Sequence, residues 1–185
     1  MGIQNHIVAL EEAARREAQF VTIGTIPNGP KLNVGFWRDL PHAGSITGFT
    51  IGLSVHRPLR SGDSAPELLL SMDSTHLEWV LAMGEAARQA ANGVMFTVGD
   101  TIDFKDRMSP DSEMSAFLVY EQMVLPERFD VLHTDMGHIV LRQLIPIYHD
   151  EMSYMRQHGI AEFADAAPEV ANPRRAPVKL RRRTP

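Results

Sequence analysis

The first apolar residues recur with helical spacing. Ile3, Ile7, Leu10, Ala14 and Ala18 share one stripe, and Glu11, Glu12, Arg15 and Arg16 take the other faces, which predicts a helix over residues 3–18. Gly24, Pro27, Asn28, Gly29 and Pro30 then break the chain. The period changes to two where Leu32, Val34 and Phe36 alternate with Asn33 and Gly35, a short strand ending at Trp37. From Ile46 to Val55, Phe49, Ile51, Leu53 and Val55 point one way while Gly48, Thr50, Gly52 and Ser54 point the other. One bulky face and one face stripped to small residues imply that a helix or a backbone packs closely on the small side. A polar loop (57–65) leads to a strand through Leu68, Leu69, Leu70 and Met72.

The next helix is marked at both ends, by the pair Thr75 and Glu78 of a capping box and by the stop Asn92-Gly93. Leu77, Val80, Leu81, Gly84, Ala87 and Ala91 form its apolar stripe. Residues 94–102 are mixed and 103–113 form a charged loop. Met114 to Val124 is apolar on both faces and reads as a buried strand, and the runs 129–133 and 139–145 flank the turn residues Thr134-Asp135-Met136-Gly137. After Pro146 the helical period returns, with Met152 and Met155 facing inward and Gly159 at the C-cap position. The order of elements and the hairpin-type links define an α+β class: a largely antiparallel sheet flanked by three helices.

A length of 185 residues suits one domain with a tail. Beyond Phe163 the composition turns to Ala, Pro and Arg, so the expected division is a domain over 1–164 and a disordered basic tail over 165–185. The chain has no cysteine, which excludes disulfides, thiolate metal sites and a cysteine nucleophile and suits a reducing compartment. The residues before Gln19 lack the basic end and apolar run of a signal peptide, and no stretch reaches the roughly 18 apolar residues of a membrane span. The expectation is a soluble, cytoplasmic protein. Net charge is −5; residues 165–185 hold six cations and two anions, +4, which leaves −9 on the body. An acidic body repels phosphate, arguing against nucleic acid as the main partner and for a basic protein partner.

Candidate chemistry is sparse. The eight histidines (His6, His42, His56, His76, His133, His138, His149, His158) form no compact metal-ligand spacing. His133 and His138 can meet across the hairpin turn with Asp135 between them; the alternative is a pair of exposed strand-end histidines. Ser54 and His56 share a strand face, but their frame lacks the second glycine of a nucleophile elbow, and a serine under close packing explains it as well. Asp100, Asp103 and Asp106 recur every three residues with Asp111 and Glu113 behind them, a spacing that does not match a calcium loop. They read either as a solvated loop or as a partner-facing acidic patch. No glycine-rich phosphate cradle occurs. The expectation is no catalytic residue, no cofactor and no metal.

The stretch Val34-Gly35-Phe36-Trp37-Arg38-Asp39-Leu40-Pro41, followed by Gly44-Ser45-Ile46-Thr47-Gly48-Phe49-Thr50-Ile51-Gly52-Leu53-Ser54, resembles the suppressor-of-fused (SUFU-like) domain family in its bacterial form. Glu67-Leu68-Leu69-Leu70-Ser71, Val98-Gly99-Asp100-Thr101-Ile102 and Met114-Ser115-Ala116-Phe117-Leu118 follow in the same order. The block Leu144-Ile145-Pro146-Ile147-Tyr148-His149-Asp150-Glu151-Met152, closing at His158-Gly159, is similar to the family's strand-Pro-helix ending. The departure is at Gly99-Asp100, where family members often carry a histidine next to the glycine. Over residues 3–164 the resemblance implies an α+β protein-binding module without catalytic residues. Eukaryotic members hold a transcription-factor peptide, and many bacterial members look like immunity proteins that neutralise a toxin encoded by a neighbouring gene. Trp37 and Arg38 are then candidate anchors, since Trp and Arg dominate binding hot spots when exposed. Asp39 stands beside them, and Asp100, Asp103 and Asp106 supply electrostatic steering. The competing readings are a peptide-binding adaptor without a toxin partner and an enzyme built on the 133–138 hairpin.

Overall fold

A computed structural model of the chain describes residues 2–25, 31–56, 65–91, 97–123, 126–127, 131–134, 137–166 and 169–178. Its first helix, α1 (Gly2–Ala14), ends before Ala18. Arg15 takes a left-handed φ of 55°, the N–H groups of Arg15 and Arg16 turn back to the carbonyls of Glu12 and Glu11, and the Glu11 carboxylate accepts the N–H of Ala18. These contacts close the helix terminus and release the next residues into β1 (Gln19–Thr25), a strand absent from the pattern-based expectation. Then follow β2 (Lys31–Arg38), β3 (Ile46–Ile51), α2 (Leu53–His56), β4 (Ala65–Met72), α3 (Glu78–Ala91), β5 (Thr101–Asp103), β6 (Ala116–Glu121), β7 (Val131–Thr134), β8 (Gly137–Ile147), α4 (His149–His158) and α5 (Ile160–Ala166).

The strands form one sheet of eight in the order β1-β2-β3-β4-β8-β6-β5, with β7 paired to β8. Only β4 and β8 run parallel among the described pairs, so the largely antiparallel α+β reading holds. The expected hairpin forms, with His133 opposite His138, but Thr134 and Gly137, expected in the turn, are its last paired residues.

Alternation along the strands divides the core between the two faces. Val34, Phe36, Ile46, Leu68, Leu70, Phe117 and Leu144 pack against Trp79, Val80, Met83 and Ala87 of α3. On the opposite face Trp37, Phe49, Ile51, Leu69 and Leu141 pack under Leu10 of α1, and Ala116, Leu118, Ile145 and Ile147 under Met152, Met155 and Phe163 of α4 and α5. The small face of β3 is where α3 comes closest: a Cβ added to Gly48 would lie 2.9 Å from Met83 Cε and 3.1 Å from Val80 Cγ2. β3 stops at Ile51, short of Val55, because Gly52 turns the chain at φ 106° into α2.

The expectation of a disordered tail from residue 165 fails over the described part of that segment. α5 runs to Ala166, and residues 169–178 lie against the domain. Arg175 is buried, and its Nη1 and Nη2 donate to Glu151 Oε1 and Oε2, both at 2.6 Å. Nη2 also donates to the Pro146 carbonyl at 3.2 Å, and the guanidinium lies 5.3 Å from the Tyr148 ring and 5.8 Å from the Phe163 ring. The Val178 N–H donates to Glu151 Oε1 and the Asp73 N–H to the Ala171 carbonyl, each at 2.8 Å. Composition points to disorder by counting apolar residues; one bidentate ion pair with backbone support docks the segment instead. Residues 179–185 lie outside the described residues.

Candidate functional site

The docked segment walls a polar pocket. Gly44 before β3, Asp73, Ser74, Thr75 and His76 between β4 and α3, Asp111 from the loop before β6, and Asn172, Pro173 and Arg174 enclose about 360 Å³. The hydroxyl that meets a backbone N–H before α3 is that of Ser74, which accepts from the His76 N–H at 3.1 Å and donates to Asp111 Oδ2 at 2.7 Å; the expected cap was Thr75. Asp111 also accepts from the indole Nε1 of the buried Trp79 at 3.1 Å and from the Ser109 hydroxyl. Partial burial by itself would raise the Asp111 carboxyl, but the hydroxyls of Ser109 and Ser74 and the nearby His76 hold it below its ordinary value. It is therefore a fixed anion tying the pocket floor to the α3 core. At the rim, His42 Nε2 lies 2.9 Å from Asp73 Oδ1.

The predicted anchors separate here. Trp37 is 1% exposed, its ring 4.5 Å from that of Phe49 and its Nε1 donating to the Arg16 carbonyl at 3.0 Å. It belongs to the core, because β2 is an inner strand whose odd face is covered by α1; the expectation of an exposed anchor is corrected. Arg38 and Asp39 are exposed and support the pocket from behind. Arg38 Nη1 donates to the Thr75 carbonyl at 2.9 Å, and Asp39 Oδ1 accepts from the Gly44 N–H at 2.8 Å. Asp73, Ser74 and Asn172–Arg174 carry no signal in the sequence, whereas Gly44 opens the block 44–54; no period joins the three loops to the docked segment.

Asp100 precedes the short edge strand β5, Asp103 is its last residue and Asp106 follows it. Asp100 accepts from the N–H and hydroxyl of Thr97, Asp103 from the Lys105 N–H and Asp106 from the Arg107 N–H. None of the three is in an ion pair among the described residues. Asp135 and the side chain of His133 lie outside the described residues, as does the side chain of His56, so the hairpin and Ser54/His56 arrangements have no geometry here. Among the described residues no group of three His, Asp or Glu side chains gathers to hold a metal, and no helix is long and apolar enough to cross a membrane.

Ser54 does have a partner. Glu67 is fully buried, and its Oε1 accepts from the Gly52 N–H, the Ser54 N–H and the Ser54 hydroxyl while Oε2 accepts from the Thr50 hydroxyl. Burial pushes the Glu67 carboxyl up, and these four donors offset the rise only in part. A second buried titratable group, His6 of α1, has no hydrogen-bond partner within normal geometry at either ring nitrogen among the described residues. Burial lowers it from 6.5 to about 4, with the nearby Thr50 backbone pulling weakly the other way. Because the folded value lies below the unfolded one, the stability that neutral His6 contributes is complete above about pH 6.5 and lost as pH falls towards 4. Between pH 7 and pH 5 the wild type should lose about 2 kcal/mol relative to His6→Leu, measured by urea unfolding of both proteins. A pH-independent difference would mean that His6 finds a partner in solution.

Comparison with known proteins agrees with this architecture. The family model described as suppressor of fused protein (SUFU) matches residues 29–177. A SUFU homologue from Neisseria gonorrhoeae FA 1090 is similar with a TM-score of 0.78 at 14% identity, over 97% of this chain and 98% of that one. The crystal structure of the Sufu–Fu complex contains a chain with a TM-score of 0.72 at 15% identity, covering 96% and 92%. Drosophila Suppressor of Fused gives 0.71 at 15% identity, and the match spans 96% of this chain but 51% of that protein. No curated protein matches the chain in sequence.

Proposed function

The chain belongs to the suppressor of fused protein family, and on that premise we propose that it is a protein-binding module acting as an immunity protein, neutralising a cognate toxin domain by direct contact. A relative of the same fold is known in complex with the protein Fu, which supports binding as the activity. The observation that carries the reading to a basic partner is the group Asp100, Asp103 and Asp106: three carboxylates at one sheet edge, with no cation paired to them among the described residues, on a body of charge −9. Unpaired surface carboxylates steer a cationic partner and keep little of that effect in salt. Arg38 and Asp39 are the remaining candidate contacts; the buried Trp37 drops out. Recognition of this kind needs no cofactor, and the cysteine-free sequence suits the cytoplasm.

The test is kinetic binding to the purified toxin domain encoded by the neighbouring reading frame. Reversal of the three aspartates to lysine should slow association about tenfold or more at low salt and much less at high salt. Unchanged association would remove the acidic loop from the interface. No binding between two folded proteins would sink the immunity reading in favour of a peptide-holding adaptor. An enzyme on the 133–138 hairpin would instead bind a metal and lose it when both histidines are replaced.

A further inference from the structure

At the edge of the sheet opposite the acidic loop, no described strand pairs with the outer side of β1. β1 closes the strand order and pairs only with β2 among the described residues. Its sequence, Gln19-Phe20-Val21-Thr22-Ile23-Gly24-Thr25, has no charge and no proline, the devices that normally blunt an edge. The one irregularity is the register shift between Thr22 and Gly24, which leaves Gln19–Thr22 in regular pairing, roughly 14 Å of flat ladder. Both faces beside it offer apolar surface. Phe20 is 47% exposed although its ring meets the edge of Phe49 at 6.5 Å. That contact exists because Phe49 lies over Gly35, the residue paired with Phe20: a Cβ on Gly35 would fall 2.2 Å from the Phe49 ring. A row of rings therefore runs from Trp37 through Phe49 to Phe20 and stops half-covered at the edge. On the other face Ile23 packs against Gly84 of α3, and one turn earlier Leu81 is 41% exposed.

We infer that an extended segment of the partner protein adds to the sheet along β1, with an apolar side chain continuing the aromatic row beyond Phe20. The inference rests on the protein-binding reading and names the mode of contact. A second copy of this chain fits less well: a rigid edge-to-edge contact over four residues falls far below the ~1,200 Å² of a stable interface, whereas an extended segment needs only the ladder and one or two anchoring side chains.

The probe is a library of random peptides panned against the full chain. Captured peptides should alternate apolar and polar positions and protect backbone amides of residues 19–22 from hydrogen exchange. They should bind Phe20→Lys and Thr22→Lys about tenfold or more weakly, since a charge blocks strand addition. Thr22 is exposed, so its variant keeps the test valid if Phe20→Lys misfolds; near-ultraviolet circular dichroism checks both. Peptides that protect only other segments, or that bind both variants as well as wild type, overturn the inference. Self-association abolished by Phe20→Lys would hand the edge to a second copy and overturn it equally. Retained binding of the toxin domain with no peptide captured at β1 overturns the edge alone; loss of both overturns the reading beneath it.

Discussion

Arg175→Ala is expected to destabilise the protein by about 3–5 kcal/mol, the usual cost of removing one partner of a buried ion pair. Glu151 is 0% exposed. Without the guanidinium its carboxylate keeps, among the described residues, only the Val178 and Tyr148 N–H groups as donors. The change also removes the donor to the Pro146 carbonyl and the stacking on Tyr148 and Phe163. For a domain of this length the thermal midpoint should fall on the order of 10 °C. Truncation after residue 168 should do at least as much, although composition alone describes that segment as a removable tail. The double change Glu151→Met with Arg175→Met should recover much of the loss, because it removes both buried charges and keeps the volume. Thermal and urea unfolding of the four proteins measure this; a shift below about 1 kcal/mol for Arg175→Ala would mean that the segment detaches in solution.

Thr50→Val should cost about 2–5 kcal/mol, a large effect for an exchange of near-isosteric residues. The hydroxyl donates to Glu67 Oε2 at 2.5 Å and accepts from the Leu68 N–H at 2.8 Å. Valine orphans a buried amide and strips one donor from a buried carboxyl group that has no cation partner among the described residues. The pattern of small residues alone predicts Gly52→Val as the damaging change and Thr50→Val as the mild one. Gly52 is indeed sensitive, with φ 106° and its N–H on Glu67, but Thr50 is no less committed. Burial raises the Glu67 carboxyl, so folding favours its neutral form; that favourable term is complete below the unfolded value and lost as pH rises through the folded one. The penalty of Thr50→Val should therefore grow as pH rises and shrink on acidification. Urea unfolding of both proteins over a series of pH values measures it, and a penalty that grows in acid would contradict a buried carboxyl group as its source.

What could be read from the residues is what a period encodes. The α3 helix (apart from Leu81, expected on its inner stripe and found exposed), the alternation in β2 and β3, the hairpin of the 129–133 and 139–145 runs and the Gly159 cap each occupy one continuous window. β1 was hidden because its few residues sit between a helical stripe that extends past its true end and a run of Gly and Pro. The anchoring of residues 52–54 after β3 and the docking of residues 169–178 depend on single side chains, Glu67 and Arg175, reaching partners 13 to 24 positions away. No local pattern registers such pairs. Trp37 shows the same limit at the candidate site. Its residue type suits a hot spot, but its exposure was decided by α1 folding back over β2.

Trp37 and Trp79 are both buried, on opposite faces of the sheet. The two indoles are thus separate fluorescent reporters. In a Trp79→Phe protein, emission would follow the α1 layer, where His6 titrates; in a Trp37→Phe protein it would follow α3 and the Asp111 floor of the pocket. A chain with these two emitters lets solvent entry into either layer be timed independently, without any attached dye.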